Sequence, residues 1–585
     1  MIKQIIRRTQ VDDSHLPDNL HPLIKQIYAR RGVVSNDELL LNAQQLIGVE
    51  QLLGIGQACQ ILQQAFNDKS NIIIVGDFDA DGATSTALMM EALSLLGFSR
   101  HSFLVPNRFE YGYGLTPEIV DIAAQQQADL IITVDNGISC LSGVSHAKSL
   151  GIKVIVTDHH LPGKVLPNAD AIVNPNQPGC TFASKAIAGV GVAFYLMLGL
   201  RKYFREQGVF TKNDIAEPNL AQLLDLVALG TVADVVSLDA NNRILVAQGL
   251  KRIRAGKTRY GIQALIEISG RNQQRLVASD FGFALGPRIN AAGRLDDMSY
   301  GINCLLAVDL MTARAMAQEL DALNKARREI EQGMQLEAEQ IFNQLQLEQV
   351  EDNQAQMPSA IALYQADWHQ GVIGIVAGRL KEKFHRPSIV FALAKNGEVH
   401  SESEIKGSAR SIPGLHIRDL LEHISSQNPD LITKFGGHAM AAGLSIKRQN
   451  FEKFQQCFQQ VASQWLTKED LQCNLLSDGE LPLGCFNLNF AEQLRLAGPW
   501  GQNFLEPLFD DEFDIIQQRV VGEKHLKLVV QKNQQLFDAI AFNVDTKIWP
   551  NASAEKIQLA YRLDINEFRG KRNLQLMVEH LTCRE

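Results

Sequence analysis

Between residues 70 and 175 the chain alternates short, continuously apolar runs with segments of helical character, and this alternation is its strongest constraint. The runs are 71–75, 101–105, 130–134 and 153–157, and helices are expected over 84–96, 117–127 and 141–150. A strand that is apolar on both faces has to be covered on both faces, as in a mostly parallel sheet with helices on either side. The apolar stretches 190–204 and 223–229 extend the same unit.

Three of the runs stop at polar motifs. The first leads into Gly76-Asp77-Phe78-Asp79-Ala80-Asp81-Gly82, the third into Asp135-Asn136-Gly137 and the fourth into Asp158-His159-His160. Open parallel sheets bind ligands just beyond the carboxyl ends of their strands, so these groups are expected at one edge. Carboxylates gathered there repel one another and raise each other's pKa. Divalent cations remove that conflict, and mixed carboxylate and imidazole ligation suits Mn²⁺ or Mg²⁺ better than thiolate-seeking metals. Two such ions sharing one aspartate would clamp and polarise a phosphate. Taken singly, Asp135-Asn136-Gly137 also reads as a turn. The 77–82 motif resembles the start of an EF-hand but lacks its downstream Glu.

At 585 residues the chain exceeds a single hydrophobic core. Residues 309–345 hold no Pro and one Gly, with Leu320, Leu323, Ile330, Met334, Ile341 and Leu345 at helical spacings. One helix of roughly 50 Å is expected, or two shorter ones broken at Gly333. A second α/β region follows, with strands at 360–364 and 388–393 around a helix at 374–384. Beyond Ser477 come five short alternating runs (513–521, 525–531, 536–542, 557–565, 573–581) without intervening helices. They suggest a small barrel of the oligonucleotide-binding (OB) type, or a β-sandwich. The expected organisation is 1–308 for an N-terminal segment and catalytic domain, 309–350 for the connecting helix, 351–468 for the second α/β domain and 469–585 for the barrel.

A formal charge of −9 argues against coating nucleic acid by bulk attraction, yet it leaves room for a local basic channel. Segments 251–254 and 257–259 are candidates to line one, or are simply solvated. The eight cysteines are scattered without a C-x-x-C pair, so free thiols in a reducing compartment, the cytoplasm, are expected. No apolar run approaches the roughly 20 residues of a membrane span, and the first eight residues lack the character of a signal peptide.

The strand-end motifs, with Gly230-Thr231-Val232-Ala233-Asp234-Val235-Val236, resemble the successive motifs of the DHH phosphoesterases. The resemblance continues through Arg288-Ile289-Asn290-Ala291-Ala292-Gly293-Arg294, Trp368-His369-Gln370-Gly371-Val372-Ile373-Gly374, Gly407-Ser408-Ala409-Arg410 and Gly436-Gly437-His438. It reaches Pro499-Trp500-Gly501-Gln502-Asn503-Phe504-Leu505-Glu506-Pro507, where Leu505 replaces an expected proline. It covers nearly the whole chain and is closest to the bacterial members that degrade single-stranded DNA from the 5′ end in repair and recombination.

The resemblance implies a DHH domain and a DHH-associated α/β domain (DHHA1 type) joined by a long helix, followed by an OB-like barrel. It implies two divalent ions (Mn²⁺ or Mg²⁺) on Asp77, Asp79, Asp135, His159 and Asp234, with Asp135 bridging. His160, Asp158, Asp81 and Arg288 are expected as catalytic or supporting groups. Arg108, Tyr113, Asn290, Arg294, Ser408, Arg410, Gly436, Gly437 and His438 are expected to bind substrate. Ser408, Arg410 and Arg108 would hold a 5′-terminal phosphate, and Tyr113 would stack on a base or pack within its loop. A single-strand-binding protein and a helicase are the implied partners of an expected monomer. Two alternatives stand beside this one: a hydrolase of short oligonucleotides or cyclic dinucleotides, and an inactive scaffold that only binds single strands.

Overall fold

After a first short strand, β1 (Gln4–Arg7), the apolar runs build one sheet: β2 (Ile72–Val75), β3 (His101–Leu104), β4 (Leu130–Val134), β5 (Lys153–Thr157) and β6 (Ala171–Val173). All neighbours are parallel, in the order β3-β2-β4-β5-β6. β6, three residues long, is too short to announce itself by pattern. β2 and β4 are buried at every residue, as strands covered on both faces must be. The order reverses between them, so a crevice opens above their carboxyl ends.

The computed structural model describes residues 3–107, 111–351, 357–394, 400–568 and 570–584. The helix expected from residue 84 begins four residues earlier, as Ala80–Leu95, because the Asp79 carboxylate caps it by accepting the Gly82 N–H at 3.0 Å. This helix and Leu224–Ala233 are buried on nearly all sides, which is why neither shows an amphipathic stripe.

Two compact units result, Arg7–Asn324 with Ser477–Glu585, and Met1–Ile6 with Lys325–Leu476. The helix Leu310–Glu351 continues through Gly333 without a break, and its 42 residues span about 63 Å. In the second unit, β7 (Ile361–Tyr364), β8 (Ser388–Leu393), β9 (Glu404–Arg410), β10 (Lys434–Gly437) and β11 (Ala441–Lys447) form a sheet ordered β10-β11-β9-β8-β7. Ile373–Phe384 and the Met334, Ala338 and Phe342 stripe of the long helix cover one face. Ile417–Gln427 and Phe451–Trp465 cover the other.

β12 (Asn474–Ser477) pairs with β1. The last five strands are β13 (Phe509–Val521), β14 (His525–Lys532), β15 (Gln535–Ala541), β16 (Lys556–Phe568) and β17 (Lys571–Arg584), and they close as β13-β14-β15-β17-β16. β15 pairs with β17 in parallel and β13 with β16, so the five strands close into a barrel and not a sandwich. The barrel shares one continuous apolar core with the β2–β6 sheet and its helices. Polar contacts cross the same seam: Gln502 accepts the Leu238 N–H at 2.9 Å, and the Arg243 guanidinium lies 4.3 Å from the Phe504 ring centroid. None of the described helices is long and apolar enough to cross a membrane.

Candidate metal centre

The sheet brings its polar strand ends together at the β2/β4 crevice. Potential ligand atoms of Asp77, Asp79 and Asp135 lie within 4.8 Å of one another, as do those of Asp135, His159 and His160, and those of Asp81, His159 and Asp234. Asp135 joins two of the sets, and His159 joins two. Asp135 adopts φ 61°, a left-handed conformation that turns its side chain across the crevice. Gly189 leaves room for it, since a Cβ there would lie 2.7 Å from the Asp135 carboxylate. Asp234 arrives from the C-terminus of the Leu224–Ala233 helix, 3.5 Å from His159 Nε2.

Buried polar atoms normally find hydrogen-bond partners. Here Asp135 Oδ1, His159 Nε2 and Asp234 Oδ2 are buried, face one another and have none. His159 Nε2 is 3.1 Å from Asp135 Oδ1 without hydrogen-bond geometry. Burial and then the neighbouring negative charges push Asp234 up to about 7 and Asp135 well above the ordinary carboxylate range. Burial and the adjacent His160 charge lower His159, leaving the neutral imidazole that ligates metals. Three orphaned donors of hard and borderline type around concentrated negative charge fit a divalent cation.

The surrounding residues hold this arrangement in place. Asp158 accepts the backbone N–H groups of His159 (2.7 Å), His160 (3.0 Å) and Ile138 (2.9 Å), and sits 2.7 Å from His160 Nδ1. Burial alone would raise Asp158 and lower His160. Their contact reverses both, so Asp158 falls below its usual range and His160 rises to about 9. The pair is therefore carboxylate and imidazolium at neutral pH, and the ring is fixed beside its neutral neighbour. Asp81 accepts the Gly189 and Val190 N–H groups at 2.6 and 2.9 Å. It thus anchors the start of the Gly189–Glu206 helix next to Asp135.

The pattern gave no warning of Asn174 and Asn176, and it showed Asn136 only as part of a possible turn. Asn136 donates to Val75 and Val134, tying β2 to β4. Asn174 and Asn176 donate to the carbonyls of His160 and His159. The one available signal was the Asn174-Pro175-Asn176 turn after a strand too short to recognise.

The residues expected to bind substrate divide. Tyr113 donates to the Asp135 carbonyl at 3.1 Å, and its ring stands edge-on to Phe78 and His160 while remaining 46% exposed. Asn290 accepts the Ala80 N–H at 2.8 Å and so positions the aspartate loop. Arg294 lies on the same helix, Gly286–Leu295. Arg288, expected as a catalytic or supporting group, commits two nitrogens to Asp321 at 2.9 and 2.8 Å and a third to the Ala284 carbonyl. Arg259, expected either to line a basic channel or to be solvated, is instead buried against Asp225 and Glu91. Arg108 lies outside the described residues.

In the second unit, Ser408 and Arg410 on β9 meet the start of the Ile373–Phe384 helix, where a Cβ on Gly374 would fall 2.8 Å from Ser408 Oγ and 2.9 Å from Arg410 Nη2. Register Ala441↔Arg410 brings the Gly436-Gly437-His438 turn to the same sheet end. Burial lowers the Arg410 pKa, and no carboxylate among the described residues pairs with it.

Comparison with known proteins gives three family matches along the chain: the DHH family N-terminal domain over residues 71–231, the DHHA1 domain over 357–464 and the RecJ OB domain over 477–580. The single-stranded-DNA-specific exonuclease RecJ of Salmonella typhimurium is 56% identical, covering 99% of each chain. The Escherichia coli protein of the same name is 55% identical over 98% of each. Among solved structures, RecJ from Thermus thermophilus in complex with Mn²⁺ matches 97% of this chain and 76% of its own, with 29% identity and a TM-score of 0.77. A Mg²⁺ complex from the same organism also matches, with a TM-score of 0.71.

Proposed function

Because the chain belongs to the RecJ family of DHH phosphoesterases, we infer that it is a metal-dependent exonuclease that degrades single-stranded DNA from the 5′ end to mononucleotides. The observation that carries this reading is the set of buried, partnerless atoms on Asp135, His159 and Asp234 at the β2/β4 crevice. Asp77, Asp79, Asp135, His159 and Asp234 would hold Mn²⁺ or Mg²⁺, with Asp135 between the two sets. Bound there, the ions would polarise the scissile phosphate and acidify a water. His160, cationic and fixed by Asp158, offers positive charge to the same phosphate. Asp81 keeps Asp135 and the Gly189 turn in register.

The second unit supports the direction of degradation. A buried guanidinium without a carboxylate, beside a serine hydroxyl and a helix N-terminus, suits a terminal phosphate dianion. We assign Ser408 and Arg410 that role, with Gly436, Gly437 and His438 adjoining it, and Tyr113 and Arg294, in the unit that carries the metal centre, a role in binding substrate there. The barrel extends the binding surface for the same strand. A single-strand-binding protein and a helicase, which expose such strands, are the partners this reading calls for in the cytoplasm.

A 5′-labelled single strand incubated with Mn²⁺, Mg²⁺ or chelator tests it. Labelled mononucleotide is expected first, and only with metal. Asp79→Ala should abolish hydrolysis while strand binding and folding persist. Turnover near the wild-type rate in that variant, or release of label last, would overturn the reading.

A further inference from the structure

The segment 281–295 is laid along the rim of the metal centre. A Cβ on Gly282 would lie 3.7 Å from Val232 Cγ1, and one on Gly286 would lie 3.1 Å from Ala233 Cβ. Farther on, Asn290 accepts the Ala80 N–H, and Gly293 lies directly against the Phe78 carbonyl. Its first turn, Phe281–Leu285, is a π-helix, an insertion that recurs at functional sites. One π-turn places Phe281 and Leu285 together in the core, both fully buried, and leaves Phe283 outward at 75% exposure.

A second feature lies on the segment this π-turn touches. Val235 directly follows Asp234, is 62% exposed and has φ 63°. A β-branched side chain in the left-handed region is strained, and such strain persists where the surrounding structure imposes it. An isolated exposed apolar residue needs no explanation. Here Val235 adjoins Asp234, and Phe283 projects from the turn whose neighbouring glycines pack on Val232 and Ala233, the last residues before that ligand.

We propose that Phe283 is a stacking platform for a nucleobase of the substrate strand and helps to select unpaired strands. The inference rests on the reading of the site as a single-strand exonuclease. An aromatic face grips any base, with little regard to sequence. Within a duplex, both faces of each base are already occupied by stacked neighbours, so only an unstacked strand can engage the ring. Phe283 precedes Asn290 by seven residues, about 10 Å along a helix. It therefore meets a base beyond the reacting phosphate and touches no reacting atom.

Aminopurine placed at successive positions of a 5′-phosphorylated single strand tests this, with the Asp79→Ala background preventing cleavage. Quenching on binding is expected at one position, lost in Phe283→Ala and regained in Phe283→Trp. In the active enzyme, Phe283→Ala should raise KM by about 10- to 100-fold, more than it changes kcat, while the thermal shift given by Mn²⁺ persists. An unchanged quenching pattern with KM within about twofold of wild type would overturn the platform and leave the exonuclease reading intact. Failure of the unaltered protein to bind or hydrolyse single strands would overturn both.

Discussion

Replacing Arg410 by Ala separates end recognition from folding. Nη1 of Arg410 is occupied by the Ala409 carbonyl at 2.8 Å and Ser408 Oγ at 3.1 Å, while Nη2 points toward Gly374 at the helix start. One or two charge-assisted bonds to a terminal phosphate remain available. At about 1.5–3 kcal/mol for each bond to a charged group, losing one lowers the preference for 5′-phosphate over 5′-hydroxyl ends by roughly 10- to 150-fold, and losing a second lowers it further. Arg410→Lys keeps the charge but loses the fork, and should fall between the two. The assay is competition between the two kinds of end in one reaction, read as a ratio of kcat/KM. Stability should move the other way. Burial depresses the Arg410 pKa, so the folded state disfavours this charge, and its removal should leave Tm unchanged or slightly higher. An unchanged end preference would refute the assignment, and a large fall in Tm would mark Arg410 as structural.

The metal centre should couple to pH. Burial first, then neighbouring charge, raises Asp81 and Asp234 to about 7. Without metal, these groups bind more protons folded than unfolded between about pH 4 and 7. Their contribution to stability is present at low pH and is lost as pH rises through about 7. Mn²⁺ competes with those protons, so the thermal shift it produces should grow from pH 6 to pH 8; a pH-independent shift would contradict this. Asp321→Ala would strand the buried Arg288 guanidinium and should cost about 3–5 kcal/mol in urea unfolding. A loss below about 1 kcal/mol would show that Arg288 finds other partners easily.

Much of the site was legible because it is local. Asp77, Asp135 and His159 follow directly on apolar strands, and a parallel sheet necessarily gathers the ends of its strands at one edge. The roles of other residues were not legible. Arg288 and Arg259 sit in basic or arginine-bearing motifs, yet each is paired with a carboxylate more than 30 positions away, and sequence spacing carries no trace of such partners. Asp81 resembles the aspartates around it, and only the arrival of Gly189 and Val190 turns it into an anchor.

The sequence by itself determined the four longer strands of the first sheet, the barrel's five runs and the carboxylate and imidazole groups that end those strands, because period, length and motif are written within short windows. Only the tertiary structure decided the strand order that opens the crevice between β2 and β4, and the left-handed turn that aims Asp135 into it. It also decided the merging of the barrel with the catalytic core and the outward setting of Phe283. These depend on which distant surfaces exclude water together, and burial on that scale is a property of the folded chain rather than of any segment.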